Sequence, residues 1–388
     1  MKNIYHSDIY KFNSPVKSYW EDNSQENLNL EKLTKDVKSE IVVIGGGYTG
    51  LLCAINLIEN HDLDVILVEA GKIGWGASSR NAGFNCLPPS KMSFKKMQSI
   101  YGNDETKMYS KEEFNQIGHG GTEQYGAFSY KPGFAINPLK FVNGITKYAL
   151  SKKLKIFEHT KVDQINKDNG SYLLKTKEGS IRSKKIVVAT NGFYQEGLIP
   201  KMDGRVLPVI SNIIVTRKLN DDELNLHNFK TFSPIANTKN LLYYYRKLPD
   251  NRILFGTRGD LSGSDQSNLD MSKKMEKFLK DIFPKWSNIN IEYNWRGLIA
   301  LSQKLTPSIG KIDNEEIYYG FGYNGVGVSA APWTGKQLSK LVFSSNSKDL
   351  DISKTYKRLP KKFVFPQLRT FHFKLAVWFY TVKDRLNI

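Results

Sequence analysis

Hydrophobic positions along the chain change their period several times, and each change marks a different element. Residues 41–44 (IVVI) and 65–68 (VILV) are short unbroken apolar runs, the pattern of strands buried on both faces. Between them Leu51, Leu52, Ala54, Ile55 and Ile58 recur at helical spacing. The segment therefore predicts strand, helix, strand, joined by a right-handed crossover. Residues 137–152 read as a further helix. From 155 to 189 short alternating runs are separated by turns at KDNG and KEG and end in the apolar IVVA, which predicts a small antiparallel meander returning to the parallel sheet. A β-rich stretch follows over about 205–300, where the Pro-Asp-Asn turn inside LLYYYRKLPDNRILFGTR predicts a hairpin. Residues 316–322 read as one more strand, and SAAPWTGKQLSKLVF opens a helix. Residues 1–38 have no clear period and read as an arm lying across the surface, while 85–135 read as a loop-and-helix insertion that contains GHGG at 118–121. The fold class is α/β, with an α+β portion supplied by the second β-rich region.

The turn between the first strand and helix carries chemistry. Gly45, Gly47 and Gly50 form GxGxxG, and Glu69 ends the next strand, 24 residues past Gly45. Such a turn brings backbone close to a pyrophosphate at a helix N-terminus, and the acid accepts hydrogen bonds from ribose hydroxyls. Glu69 would repel a 2′-phosphate, which disfavours NADP, but the fingerprint by itself leaves NAD and FAD both open.

Composition narrows the setting. Two cysteines, Cys53 and Cys86, form no disulfide framework and no metal-ligand spacing, which fits a reducing, cytoplasmic compartment. The N-terminus lacks the pattern of a signal peptide, and the charge-free run 317–335 is too rich in glycine to read as a membrane helix. It reads instead as backbone beside a ligand. The net charge of +18 comes from lysines scattered over every segment, a solvated surface rather than a nucleic-acid stripe.

The polar run GWGASSRNAG at 74–83 follows Glu69 closely, and Ser78, Ser79, Arg80 and Asn81 can donate hydrogen bonds or offset phosphate charge there. With SYW at 18–20, IVVIGGGYTGL at 41–51, VVATNGF at 187–193, ILFGTR at 253–258, WRGLIAL at 295–301 and YYGFGYNGVGV at 318–328, it carries a family likeness. The chain resembles the D-amino-acid-oxidase-type FAD-dependent oxidoreductases, on the branch with γ-glutamylputrescine oxidase and related glycine and amine oxidases.

The resemblance implies a Rossmann-like FAD-binding domain made of residues 39–84, 136–204 and 305–345, interleaved with an antiparallel-sheet substrate domain made of 85–135 and 205–304. It implies FAD contacts at Gly45, Gly47, Tyr48, Thr49, Gly50, Glu69, Ala70, Ser78, Ser79, Arg80, Asn81 and Gly83, with Val162 at the adenine. Ala189, Thr190 and Asn191 would lie near the ADP half, and Gly325, Gly327 and Val328 beside the flavin. Related sequences often place histidine where this chain has Val326. Some relatives hold FAD through a C-terminal cysteine, and no cysteine follows Cys86, so the FAD is expected to be non-covalent.

The implied reaction oxidises the C–N bond of a small amine or amino acid, with hydride passing to flavin N5 and the imine then hydrolysing. No metal and no catalytic triad is required. Oxygen, a quinone or an electron-transfer protein would take the electrons. Two other readings are a flavoenzyme acting on an aminomethyl group of tRNA, suggested by the charge, and a flavin-binding protein without turnover. Tyr245 and Arg258 are the candidate substrate-positioning residues, with Arg246, Trp295 and Arg296 next, while His119 reads as part of a structured loop. The tail, 346–388, holds ten Lys/Arg against three Asp. Its apolar positions Phe371, Leu375, Trp378 and Val382 are expected to pack on the body, the sharper alternative being peripheral contact with acidic lipid.

Overall fold

The computed structural model describes residues 4–24, 26, 28–86, 93–131, 133–346, 350 and 352–386. Three apolar strands, Val37–Ile44, Val65–Val68 and Ser180–Val188, form the centre of a mainly parallel sheet. Lys155–Phe157 extends it beyond Val65–Val68, and Ile317–Phe321 pairs in parallel with Ser180–Val188 on the other side. Ser308–Lys311 closes that edge in antiparallel sense. The meander Gln164–Asp168 and Ser171–Lys175 leads antiparallel into Ser180–Val188. Helices Tyr48–His61, Pro138–Ser151 and Gly327–Ser344 cover one face, and Ile41, Val43, Leu51, Leu57, Val187 and Leu338 make its core.

The second sheet is antiparallel throughout, in the order Ile235–Ala236, Tyr244–Lys247, Ile253–Arg258, Leu207–Thr216, Ile291–Leu301. Its two faces have different partners. Ile214, Tyr245, Ile253 and Phe255 pack with Met275, Leu279 and Ile282 of the helix Asp265–Ile282. Ile213, Val215, Leu254 and Trp295 point the other way, against Tyr19, Trp20 and Ala82. This inner face meets the parallel-sheet domain.

Two expectations change here. The N-terminal arm is not a surface strap: Ile9, Tyr19, Trp20 and Leu33 are buried, and Trp20 Nε1 donates to the Asn81 carbonyl at 3.0 Å. An indole needs both apolar cover and an acceptor, and the seam between the sheets offers Trp20 both. The tail does not pack its apolar stripe on the body either. It forms the helix Arg369–Leu386, in which Arg369 is the buried residue, while Phe371, Leu375, Trp378 and Val382 are exposed. Lys348, Asp349 and Asp351 of the tail lie outside the described residues.

Candidate functional site

The carboxyl ends of the central parallel strands open into a cleft of about 410 Å³. Such crevices are where nucleotides bind in open α/β sheets. Gly45, Gly47, Tyr48, Thr49, Glu69, Ala70, Ser78, Asn81, Val162, Ala189, Thr190, Asn191, Gly325, Gly327 and Val328 all line it. Gly45 has φ +112°, and an added Cβ would sit 2.7 Å from the Ala189 carbonyl oxygen, so only glycine makes this turn. Gly50 lies one layer back, packed on the Gly45 carbonyl, and Gly83 is packed on that of Ile136.

Several features of the cleft suit a dinucleotide. The N-cap residue of the helix Tyr48–His61, Gly47, has no side chain to cap it. Tyr48 N–H donates to Ser78 Oγ at 3.1 Å, and the start of the helix presents its positive end to the cleft. Glu69 accepts N–H bonds from Gly46 (2.7 Å) and Gly71 (3.0 Å). Burial still raises its pKa above the ordinary carboxylate value, against those two donors. Thr190 Oγ1 is buried and has no hydrogen-bond partner among the described residues, in a side chain that lines the cleft. Buried hydroxyls are rarely left that way, so a ligand acceptor fits there. The long helix Gly327–Ser344 also begins uncapped, with Gly325, Gly327 and Val328 at the cleft wall. These residues fit FAD: one helix start for the pyrophosphate, Glu69 for the ribose, and the second helix start for the electron-rich end of the flavin.

Ser79 and Arg80 do not face this cleft. Residues Ala77–Arg80 form one helical turn, which directs Ser78 into the cleft and turns Arg80 inward. Arg80 Nε donates to the Trp75 carbonyl (2.6 Å) and an Nη donates to that of Arg296 (3.0 Å). Its guanidinium lies 3.9 Å from the Trp75 ring centroid. No carboxylate pairs with it among the described residues, and burial pushes its pKa down to about 9. Its role is to tie the glycine-rich segment to the inner face of the second sheet. The expected contact with pyrophosphate is corrected accordingly. Asn81, though on the cleft wall, uses its amide on the Ala77 and Ser78 carbonyls and on Gly83 N–H.

The hairpin register corrects a second expectation. Tyr245 lies opposite Phe255, on the face packed against the helix, and its hydroxyl meets His119 Nε2 at 2.9 Å. It is turned away from the cleft. His119 Nδ1 accepts Gly121 N–H, and burial lowers the His119 pKa to about 4, so the ring is neutral and structural. Arg296 also sits on the outer face, paired with Asp260 and Asp265. Tyr244, one residue earlier, is on the inner face opposite Gly256 and shares a 2.8 Å hydrogen bond with Ser211. Ser211 lies opposite Arg258, which places Arg258 on the same face. Arg258 has no carboxylate partner among the described residues, and burial lowers its pKa. Arg246 and Trp295 share that face: Arg246 donates to the Ile136 carbonyl and Trp295 to that of Arg80.

Tyr244 shares a face with Arg258 in this register, a relation that strand alternation alone leaves open because a one-residue shift would bring Tyr245 there instead. Trp75, Phe12 and Phe193 also line the cleft and pack on one another. Trp75 sits inside GWGASSRNAG, but nothing local joins it to Phe12 and Phe193. No cluster of metal-ligating side chains occurs among the described residues.

Comparison with known proteins agrees with this geometry. A family model described as FAD dependent oxidoreductase, DAO, matches residues 40–86 and 90–341. The chain is 24% identical to the gamma-glutamylputrescine oxidoreductase of Escherichia coli over 96% of this chain and 99% of that protein. Among solved structures, the glycine oxidase of Geobacillus kaustophilus superposes with a TM-score of 0.66 at 16% identity, covering 82% of this chain and 98% of that one. The L-proline dehydrogenase of P. horikoshii gives 0.65 at 21% identity, covering 82% and 96%. Turn, acid and uncapped helix starts thus stand in one cleft, in a sequence matched by this model over most of its length, and the chain belongs to the DAO family of FAD-dependent oxidoreductases.

Proposed function

We propose that this protein oxidises the C–N bond of a small amine or amino acid that carries a carboxylate, in the manner of the gamma-glutamylputrescine oxidoreductase it resembles. The observation that carries the reading is Arg258, a guanidinium without a carboxylate partner among the described residues, beside Tyr244 on the inner face. A half-buried arginine fork without its acid suits a ligand carboxylate. Bound FAD would supply the hydride acceptor, leaving the carbon as an imine that water hydrolyses.

The rest falls to this chain's own groups. Gly325, Gly327 and Val328 would hold the flavin's pyrimidine side, where the uncapped start of Gly327–Ser344 favours negative charge. Arg258 would take the substrate carboxylate and Tyr244 would fix its direction, so the C–H bond meets the ring in one orientation. Val326 adds no polar group at the turn, which leaves this task to backbone N–H groups. Oxygen, a quinone or a protein acceptor would take the electrons, and peroxide formed in air identifies the first. With Cys53 and Cys86 both free, the chemistry fits the cytoplasm.

Arg258→Gln tests the assignment. Loss of a charge-assisted pair costs about 1.5–3 kcal/mol, so the substrate concentration for half-maximal flavin reduction should rise roughly tenfold to a hundredfold with the FAD spectrum intact. An unchanged value would remove Arg258 from the site.

A further inference from the structure

The helix Arg369–Leu386 is tied to the body at its two ends. Arg369 pairs with Glu196 at 2.6 Å, and Asp384 accepts N–H bonds from Asn240 (2.9 Å) and Leu241 (2.8 Å). Phe373, Ala376, Val377, Tyr380 and Asp384 are partly buried and mark the side turned to the protein. Phe371, Leu375, Trp378, Phe379, Val382 and Leu386 follow i, i+4, i+7, i+8, i+11 and i+15. At 3.6 residues per turn they share a sector of about 100° on the opposite side. All six are between 37% and 68% exposed. His372 and Lys383 run along one edge of this stripe, and Lys374 and Arg385 along the other. The helix contains one acid, Asp384, and it is engaged on the protein side.

We propose that this face lies in the headgroup region of an anionic lipid surface, with the helix parallel to the membrane. An apolar stripe with aromatic residues, edged on both sides by cations, matches such an interface in shape and in charge. A second copy of the same face is the poorer occupant, because the cationic edges of two chains of net charge +18 would be brought together. No helix among the described residues is long and apolar enough to cross a membrane, so the contact is peripheral. The inference concerns the surface alone and stands apart from the reading of the flavin cleft.

Co-sedimentation of the full chain with vesicles tests it. At low salt the protein should pellet with phosphatidylglycerol–phosphatidylcholine vesicles and at least about tenfold less with phosphatidylcholine alone. Trp378→Ser with Phe379→Ser should cut binding by a similar factor while the melting temperature stays put. Lys374→Glu with Lys383→Glu, which leaves the apolar stripe intact, should do the same. The proposal is overturned if the protein ignores anionic vesicles, or if both double variants bind as the parent does. It also fails if light scattering shows a dimer that Trp378→Ser with Phe379→Ser dissolves.

Discussion

Glu69 is subject to two opposing influences. Burial raises its pKa, while Gly46 and Gly71 N–H groups favour the charged form. In the cofactor-free protein a carboxyl whose folded pKa lies above its unfolded value contributes stability at low pH, and loses it as pH rises through the folded value. FAD reverses the preference, because ribose hydroxyls donate to the carboxylate. FAD affinity should therefore fall as pH drops through the Glu69 range. Glu69→Gln should weaken FAD binding about tenfold at neutral pH and flatten that dependence. Fluorescence titration of the stripped protein with FAD across pH checks both, and a Gln variant with the parent's pH profile contradicts the assignment. Glu69 and Gly45 were readable from the chain because a turn and a strand-end acid are local signals. Arg80 was not, since which way a one-turn helix aims its side chains depends on Trp75 and on the carbonyl of Arg296, more than two hundred residues away.

Among the elements, the hairpin Tyr244–Lys247 and Ile253–Arg258 shows what periodicity can and cannot give. The turn and both strands followed from the sequence. The orientation of the faces did not, because both carry large apolar side chains, and shifting by one residue exchanges Tyr244 with Tyr245. The burial of the second sheet by the helix Asp265–Ile282 decides which face is inner. Gly256 then has a specific use: an added Cβ would meet Tyr244 Cε2 at 2.1 Å. Gly256→Ala should displace the Tyr244 ring and raise the substrate requirement roughly tenfold without loss of bound FAD, an overpacking effect confined to the inner face. Steady-state KM and the FAD absorbance, measured side by side, check this. Loss of both together would show that the hairpin supports the cofactor as well.

In the molecule as a whole, the N-terminal arm joins the two sheets through Tyr5, Ser14 and Trp20. Trp20 packs on Ala82, Val215 and Trp295 while donating to Asn81, and Trp75 donates to the Ser14 carbonyl. The arm therefore bears on the glycine-rich segment that walls the cleft, a role its irregular sequence did not disclose because every partner is distant in the chain. The exposed stripe of Arg369–Leu386 was visible as a pattern, yet a pattern alone does not say whether a protein body covers it. Everything proposed for the site depends on the cleft binding FAD reversibly and on an amine reducing it there. Reconstitution of the stripped protein followed by anaerobic addition of glycine, proline, D-amino acids and γ-glutamylated polyamines tests both most directly. One FAD per chain is expected, releasable on denaturation, with its absorbance bleached by at least one of these C–N donors. A protein that stays colourless with excess FAD, or a bound flavin that none of them bleaches, would contradict this reading.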